Sequence, residues 1–479
     1  MVGSAAYGQR RMSLKFGTDG WRALIAEEYT FGNVRRVCAG IEKAMRDESG
    51  GSNALPVVVG FDTRFLSRRF AETAAETLVG AGRRVVLARQ ACPTPATSCQ
   101  VVALGAAFGV VITASHNPAA FNGVKVKDST GASAGTALTL ACEKQIPTTP
   151  PESVCLAEGK RRDLVEEASF DPAHRARLTR MVDMDAIRKA GIRIVTDPMH
   201  GACGVLLARM LDGGATTVTT IHADQDPLFG GMHPEPLEQH LAELRDAVIR
   251  HGAGVGFATD GDGDRIGAFD EKGQFVSPLR IAPLLALNLI RKGRRGPLGK
   301  TFANTLLLDR IAARYGLPFT TFPVGFKHIA AEMQAGRMLL GGEESGGIGV
   351  EGFLPERDGT MVSLMLLQAM VDEARPLSEM VGEMTREFGE LHYRRRDLAV
   401  TTEEGRRLIE RLKSAPPRTI GGMSVTGIDD LDGLKLLFGG DGWLLFRASG
   451  TEPVLRVYSE APTLARLDAV MSEAVSLVS

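Results

Sequence analysis

The sequence lacks a surplus of positive charge and lacks an apolar run long enough to cross a membrane. Its 56 Lys and Arg residues against 57 Asp and Glu give a formal net charge of −1, whereas nucleic acids and anionic membranes are bound by cationic surfaces that displace counterions. Residues 91–124 contain no charged side chain, but prolines interrupt them and leave an apolar core of about 14 residues, short of the roughly 20 that a span requires. We therefore expect a soluble protein whose partners are small molecules, with no nucleic acid and no membrane among them.

Paired cysteines are also missing. The six cysteines, at 38, 92, 99, 142, 155 and 203, include no C-x-x-C pair, which excludes a zinc ribbon and a thioredoxin-like redox site. The first residues contain no apolar run of the kind that a secretory signal needs. We therefore predict free thiols and a cytoplasmic location.

The composition is that of a globular protein with several domains. Hydrophobic residues make up 44% of the chain and charged residues 24%, which excludes disordered, collagenous and coiled-coil proteins. A chain of 479 residues is too long for one hydrophobic core and predicts three or four domains at about 150 residues each.

Three blocks of the chain alternate predicted strands with predicted helices. In the first block, strands at 56–60, 85–87 and 109–112 are separated by helical patterns that begin near 67 and 94. The pattern recurs from 192 and again from 301, which favours a repeated α/β unit with largely parallel sheets, although no residue-level repeat is visible. After a helix at 380–388 the texture changes to a smaller α+β domain. We predict domains at 1–160, 161–274, 275–388 and 389–479.

The first loop with chemical potential is Thr113–Pro118 (TASHNP), which directly follows a buried strand. Reactive groups of open α/β sheets cluster beyond the carboxyl ends of the strands. The Ser115 hydroxyl could serve there as a nucleophile or phosphate carrier, and His116 could donate to a phosphate or move a proton. An ordinary polar turn is the alternative.

The second loop, Asp260–Arg265 (DGDGDR), carries three carboxylates at alternate positions. Three unpaired like charges in one tight turn favour a divalent cation, most simply Mg²⁺ completed by a phosphate oxygen. A calcium EF-hand is rejected because Arg265 stands at the sixth position of the loop, where an EF-hand requires glycine, and because the flanking segments are predicted strands. A solvated acidic turn is the remaining alternative.

Two further loops complete the pattern. Residues 341–347 (GGEESGG) offer Glu343 and Ser345 to vicinal sugar hydroxyls, although a glycine-rich acidic loop is a weak signal by itself. Residues 447–453 (RASGTEP) combine a guanidinium, two hydroxyls and backbone N–H groups beside a glycine, which is suited to a phosphate. The alternative for residues 447–453 is a capped helix start at Ser449 or Thr451.

In this order, and together with Phe16–Arg22 (FGTDGWR), the motifs closely resemble the α-D-phosphohexomutase superfamily, in its bacterial phosphoglucomutase/phosphomannomutase branch. The resemblance spans essentially the whole chain. It implies a phosphoserine at Ser115 and one Mg²⁺ per chain, held by Ser115, Asp260, Asp262 and Asp264. The catalytic residues that it implies are Ser115, His116, Lys125, Arg22 and Arg265. The implied substrate-binding residues are Lys327, His328, Glu343, Ser345, Arg447, Ser449, Gly450 and Thr451. Lys125 is the predicted general acid or base, and His116 and His328 are lesser candidates. Cations around Lys125 could depress its pKa, whereas the negative charge of the phosphates would oppose this shift.

The resemblance also implies a fold and an activity. The expected molecule is heart-shaped with a central cleft: three related α/β domains with mixed or parallel sheets, and a smaller C-terminal α+β domain like the TATA-binding protein. The expected reaction interconverts hexose 1-phosphate and hexose 6-phosphate, of glucose or mannose, through a hexose 1,6-bisphosphate that also acts as activator. The expected assembly is a monomer or a homodimer.

Two departures from the family pattern concern the loops, because many relatives have Pro where Ala448 stands and His where Gly347 stands. The second departure puts sugar preference in doubt. Phosphoglucosamine mutase, whose members usually carry GEQSGH at 342–347, and glucose-1,6-bisphosphate synthase remain alternatives within the family. A non-catalytic sensor is disfavoured because the serine and the aspartates are all present, and a phosphatase would reveal itself by releasing inorganic phosphate.

Overall fold

The computed structural model describes residues 14–17, 19–48, 53–448 and 453–478. Within these ranges the chain forms three α/β domains, each built on a mixed sheet, and a C-terminal domain built on an antiparallel sheet. None of the described helices is both long enough and apolar enough to cross a membrane. All six cysteines are free thiols, as predicted, and only Cys155 is exposed.

The first domain contains a six-stranded sheet in the order β1-β5-β4-β2-β3-β6. Its strands are β1 (Trp21–Leu24), β2 (Val57–Phe61), β3 (Val85–Ala88), β4 (Phe108–Ile112), β5 (Phe121–Lys127) and β6 (Val165–Ala168). Its helices are α1 (Phe31–Glu48), α2 (Ser67–Gly80), α3 (Thr94–Leu104), α4 (Thr136–Gln145) and α5 (Leu156–Arg161). Strands β2, β3 and β4 run parallel and are buried along their whole length, which is why they appear in the sequence as short β-branched runs.

The second domain contains a five-stranded sheet in the order β11-β10-β9-β7-β8. Its strands are β7 (Arg193–Asp197), β8 (Thr217–Thr220), β9 (Val255–Thr259), β10 (Ile266–Asp270) and β11 (Phe275–Val276). Its helices are α6 (Asp171–Leu178), α7 (Met184–Lys189), α8 (Leu206–Leu211) and α9 (Ala242–His251).

The third domain contains a four-stranded sheet in the order β13-β12-β14-β15. Its strands are β12 (Leu298–Thr301), β13 (Phe319–Phe322), β14 (Leu340–Gly342) and β15 (Ile348–Val350). Its helices are α10 (Pro278–Arg291), α11 (Leu307–Tyr315), α12 (Phe326–Gln334), α13 (Gly359–Glu373) and α14 (Leu377–Phe388). One apolar core runs continuously through the second and third domains, with α10 and α13 at its centre.

The three α/β domains share one topology, which confirms the predicted repeated unit. Each domain has three parallel strands, and the last of these along the chain continues through a hairpin into a fourth, antiparallel strand. The strand orders are β5-β4-β2-β3, β10-β9-β7-β8 and β15-β14-β12-β13. The first three motif loops of the sequence are the connections of these equivalent hairpins. The repeat is therefore one of topology and of loop position.

The fourth domain contains a five-stranded antiparallel sheet in the order β16-β22-β21-β20-β19. Its strands are β16 (His392–Ala399), β17 (Thr419–Ile420), β18 (Met423–Ser424), β19 (Gly427–Asp429), β20 (Leu434–Leu437), β21 (Trp443–Ala448) and β22 (Val454–Ala461), and its helices are α15 (Thr402–Ser414) and α16 (Leu464–Ser476). Side chains of β21 alternate between two apolar clusters: Leu444 and Phe446 join the core of the domain, whereas Trp443 and Leu445 pack with Phe302 of the third domain. The period of two along the strand therefore buries both faces of the sheet.

Candidate active site

Ser115 lies in the β4–β5 connection, in a left-handed backbone conformation. Its φ is +54°, a region that residues with a side chain rarely adopt and that costs about 1 to 3 kcal/mol when it is imposed. The side chain is buried, and the backbone N–H donates to the Thr113 hydroxyl at 2.8 Å. The surrounding structure therefore holds this turn in place.

Arg64, just after β2, stabilises the Ser115 turn by hydrogen bonds to its backbone. Its two terminal nitrogens donate to the backbone carbonyls of Ser115, Asn117, Pro118 and Phe121, and its Nε donates to Asp62 at 3.1 Å. All five N–H donors of the guanidinium are used, and both charged side chains are fully buried. The Ser115 turn is thus fixed by a residue that lies 51 positions earlier in the sequence.

The three carboxylates of the second loop lie directly opposite Ser115. Asp260, Asp262 and Asp264 occupy the β9–β10 connection, are buried, and bring one carboxylate oxygen each within 4.8 Å of the others. The Ser115 hydroxyl donates to Asp260 Oδ2 at 2.9 Å. The first two hairpin loops therefore bring the predicted nucleophile and the predicted metal ligands together.

The aspartate group fits a divalent cation. Asp262 Oδ1 and Asp264 Oδ1 are buried and have no hydrogen-bond partner, an arrangement that is costly unless a cation occupies the space between them. Burial and the carboxylates of Asp264 and Asp262 raise the pKa of Asp260 well above its ordinary value. Oxygen ligands on a hard cation are what Mg²⁺ takes in proteins, so the donor set fits the expected ion.

The flanks of this loop confirm that it is not an EF-hand, because β9 and β10 border it where an EF-hand has helices. Glu271, at the twelfth position of that rejected alternative, accepts hydrogen bonds from Ser378 instead.

Lys125 on β5 is surrounded by carboxylates. Its ammonium lies 3.0 Å from Asp19, 2.9 Å from Asp262 and 2.8 Å from Asp264. Burial acts to lower the pKa of Lys125, but these three carboxylates outweigh it and raise the pKa above its ordinary value. The expectation that cations surround Lys125 and depress its pKa is wrong, because Asp19 lies 106 positions away in the chain and the aspartate loop belongs to another domain.

The remaining predicted catalytic residues form the rim of the same site. His116 Nδ1 lies 3.5 Å from the Ser115 hydroxyl, and burial, with the cations of Arg265 and Arg22, lowers the pKa of His116 well below its ordinary value. Arg22 on β1 donates to Asn117 Oδ1 at 2.7 Å, and Arg265 donates to Glu235 at 3.1 Å. A neutral imidazole beside the serine is able to accept a proton.

The third hairpin loop, β14–β15, joins this site through a residue that the sequence analysis missed. Arg357 lies in the segment before α13, and its guanidinium contacts Asp19 at 2.6 Å, Asp264 at 2.7 Å and Glu343 at 3.2 Å. One buried cation therefore connects the first, second and third domains. Burial raises the pKa of Glu343 to about 7 even with Arg357 beside it.

Backbone hydrogen bonds also connect the aspartate loop and its neighbouring strand to the third loop and to the start of α13. The Gly346 carbonyl accepts a hydrogen bond from Ile266 N–H at 3.3 Å, and the Gly263 carbonyl accepts one from Gly359 N–H at 3.0 Å. Ser345, half-buried, is at the tip of the third loop. The predicted residues of the third loop therefore lie beside the aspartate group.

The fourth domain reaches the third through Asp432. Its carboxylate accepts from Arg447 Nε at 2.9 Å and from the Val324 backbone N–H at 2.8 Å. Val324 is three residues before Lys327 and four before His328, at the start of α12; burial lowers the pKa of both side chains. Three further predicted phosphate ligands, Ser449, Gly450 and Thr451, lie outside the described residues. The chain resumes as strand β22 rather than as a helix, which disfavours the alternative of a helix start.

The sequence contains the segments that carry the three residues missed by the sequence analysis, Asp19, Arg64 and Arg357. Asp19 lies inside the motif at 16–22, Arg64 follows β2 in GFDTR, and Arg357 belongs to PERDGT at 355–360. Arg64 shares with the first three motif loops a position just beyond the carboxyl end of a buried strand, and this was the available signal.

Family models match all four domains in order. Each is described as part of phosphoglucomutase/phosphomannomutase: α/β/α domain I matches residues 13–152, domain II residues 172–273, domain III residues 278–388, and the C-terminal domain residues 423–477.

Individual relatives are similar along their whole length. A phosphoglucomutase/phosphomannomutase of Thermococcus kodakarensis is 31% identical over 94% of this chain and 95% of its own. A phosphoglucosamine mutase of Frankia casuarinae is also 31% identical, over 97% of both chains. A crystal structure from Thermus thermophilus, provisionally named a phosphomannomutase, is 34% identical and superposes with a TM-score of 0.86 over 98% of this chain and 99% of its own.

The serine, the aspartate group and the hairpin loops thus occur in a chain that is similar to its relatives over nearly its whole length. This chain belongs to the phosphoglucomutase/phosphomannomutase family of the α-D-phosphohexomutase superfamily and is an intramolecular phosphotransferase.

Proposed function

We propose that this protein interconverts hexose 1-phosphate and hexose 6-phosphate, of glucose or mannose, by way of a phosphoserine at Ser115 and a hexose 1,6-bisphosphate. The observation that supports this most directly is the Ser115 hydroxyl, 2.9 Å from Asp260 in a buried group of three aspartates. A serine buried among carboxylates would be a poor nucleophile without a cation, and the same aspartates supply the ligands for one.

Asp260, Asp262 and Asp264, together with Ser115 or its phosphate, are the residues that would hold one Mg²⁺. The ion, when bound, neutralises charge on the transferring phosphoryl group. Arg22 and Arg265 lie at the rim, where guanidinium groups can grip phosphoryl oxygens in pairs. We assign His116 and Lys125 to hold or move the proton of the attacking hydroxyl, with Lys125 the first candidate.

Substrate contacts are assigned to the third and fourth loops. Glu343 and Ser345 would read two neighbouring sugar hydroxyls, and Lys327 with His328 would face the same pocket. Arg447, Ser449, Gly450 and Thr451 would grip the phosphate that is not being transferred. Because the bisphosphate must turn over between the two half-reactions, these contacts have to accept both orientations of the sugar.

Two alternatives use the same serine. Phosphoglucosamine mutase is supported by the name of the Frankia relative, and a bisphosphate synthase would release the intermediate instead of returning it. We further propose a cytoplasmic enzyme, a monomer or homodimer, that is activated by the bisphosphate.

A coupled assay tests these assignments. The 1-phosphates of glucose, mannose and glucosamine are offered side by side, with and without glucose 1,6-bisphosphate, and each 6-phosphate product is measured. The proposal expects turnover of glucose or mannose 1-phosphate that the bisphosphate stimulates. Ser115→Ala should remove nearly all of that turnover while sugar-phosphate binding stays measurable, and normal turnover by this variant would refute the proposal.

A further inference from the structure

Gly347, the last residue of the third loop, has no room for a side chain. A Cβ built on it would overlap Arg357 Cδ and would lie 2.7 Å from Glu343 Oε2. The aliphatic part of the Arg357 side chain therefore fills the space that a side chain at 347 would take. The glycine and the arginine form one unit, which we call the Gly347–Arg357 pair.

Arg357 places a fixed positive charge against the carboxylate that the proposed function assigns to the sugar. Its Nη1 contacts Glu343 Oε2 at 3.2 Å, and its side chain is 5% exposed. The ring of Phe326, at the start of α12, lies 5.4 Å from the centre of the guanidinium. The cation is thus packed from several sides and has no alternative position in solvent.

Glu343 and Glu344, the two glutamates of the third loop, already have hydrogen-bond partners within the protein. Glu343 is paired with Arg357, and burial raises the pKa of Glu343 to about 7. Glu344 accepts a hydrogen bond from Thr301 at 3.3 Å and contributes to the raised pKa of Arg395. An ammonium group on a bound sugar that approached Glu343 would therefore also approach the Arg357 cation with which this carboxylate is already paired.

We propose that the Gly347–Arg357 pair makes the sugar site select neutral hexose phosphates against glucosamine phosphates, whose amine is charged at neutral pH. This inference rests on the proposed function, because it uses Glu343 as a sugar contact. Like charges a few ångströms apart at the effective dielectric of a protein site weaken binding by about one to two orders of magnitude.

Substrate chemistry provides the first test. At pH 6.5 the kcat/KM for glucosamine 1-phosphate should be at least about thirtyfold below that for glucose 1-phosphate. The deficit should shrink at pH 9, because an amine of this kind loses its proton near pH 8, by analogy with an α-amino group at about 7.7 to 8.0. Neutral 2-deoxyglucose 1-phosphate, which lacks the C2 hydroxyl, should show no comparable pH effect. Equal or better turnover of glucosamine 1-phosphate by the native enzyme would overturn the proposal.

Variants provide the second test. Arg357→Gln should move the ratio of the two kcat/KM values about tenfold toward the amino sugar. Arg83→Gln removes a buried arginine of the first domain that is paired with Glu42 at 3.0 Å, and it should leave the ratio unchanged at a similar cost in stability. Should Arg357→Gln not fold, Gly347→Ala displaces the guanidinium and should shift the ratio in the same direction. An unchanged ratio in the folded variant would contradict the proposal.

Binding separates this inference from the proposed function. Dissociation constants of both sugar 1-phosphates are measured on Ser115→Ala without magnesium, where no turnover is needed. Weaker binding of glucosamine 1-phosphate at pH 6.5, restored toward parity at pH 9, supports the inference even if the native enzyme isomerises neither sugar and the proposed function fails. Equal binding at both values of pH overturns the inference and leaves mutase activity unaffected.

Discussion

Ser115 reaches the aspartate group because its backbone is held at a positive φ, and the side chain that holds it is Arg64. Four backbone carbonyls of the loop accept hydrogen bonds from one guanidinium, which also lies over the Phe229 ring at 4.9 Å. The position and strain of Ser115 therefore depend on a residue that contacts its backbone carbonyl and not its hydroxyl. Arg64 is a positioning residue.

Replacing Arg64 by lysine tests this role. An ammonium has three donors and no planar fork, so at least two of the five buried acceptors lose their partners. We expect a loss of about 3 kcal/mol in the free energy of unfolding and a fall of about a hundredfold in kcat with a smaller change in KM, because the serine is misplaced.

The matched control is Arg69→Ala at the start of α2. The Arg69 side chain is 69% exposed and pairs with Glu72, so kcat and stability should stay close to native. If Arg64→Lys kept native kcat, the Ser115 turn would not depend on the guanidinium.

His222, just after β8, should make stability depend on pH. Its Nδ1 lies 3.0 Å from Asp197, and this hydrogen bond raises the pKa of His222 to about 8. Because the folded pKa is above the unfolded value, the stabilisation is complete below about pH 6.5 and is lost as the pH rises through about 8. After a discount for solvent screening, we expect about 1 kcal/mol.

The measurement is the difference in free energy of unfolding between the native protein and His222→Gln at pH 6 and pH 9. The difference should be larger at pH 6. A difference that does not change with pH would show that His222 is not charged in the folded protein.

At the scale of elements, chemistry is confined to one kind of connection. The loops with Ser115, the aspartates and Glu343 each join the third parallel strand of a domain to the antiparallel strand beside it. Such a connection leaves the sheet at the carboxyl end of a buried strand, where polar groups can converge on a ligand. The loops need glycine where they touch one another, since the backbones approach too closely for a side chain.

Gly261 is the clearest case, because a Cβ there would lie 2.8 Å from the Ser115 carbonyl oxygen. Gly263, in the same loop, is crowded by side chains instead. Its φ is +74°, and a Cβ there would lie 2.5 Å from Cys203 Sγ and 3.1 Å from Pro93 Cβ. We expect Gly263→Ala to displace the aspartates and to weaken the magnesium dependence of activity by at least about tenfold, with a stability loss of about 2 kcal/mol. Both are measured by titrating activity with Mg²⁺ and by thermal unfolding.

Gly293→Ala is the matched control, because Gly293 also has a positive φ, +81°, but a Cβ added to it would meet no atom within 4 Å. It separates backbone strain from collision. Equal magnesium titrations for the two variants would show that strain alone, and not contact within the loop, explains the effect.

Local pattern was sufficient to predict these elements but not the contacts between them. The β-branched run of β2 and the helical spacing from Ser67 depend on neighbours in sequence, so periodicity predicts them. Lys125 shows the limit: its three carboxylate partners come from other segments, and they raise its pKa, whereas a depressed pKa had been considered.

At the scale of the whole molecule, the site exists only where domains meet. Arg357 joins Asp19, 338 positions away, to Asp264 and Glu343, and no local signal in a single sequence specifies such a contact. The resemblance to a family supplied the order of the loops, and topology explains that order, because the same hairpin occurs three times. Three domains therefore meet at Arg357, and the fourth contacts the third through Asp432.

The central claim is that Ser115 carries the phosphoryl group in this assembled site, and intact mass measures it most directly. After incubation with glucose 1,6-bisphosphate and Mg²⁺, the native chain should gain about 80 Da, localised to Ser115 by fragmentation, and should lose it again when glucose 1-phosphate is added. Ser115→Ala should gain nothing. A native chain that never gains this mass, or that gains it equally in Ser115→Ala, would contradict the account.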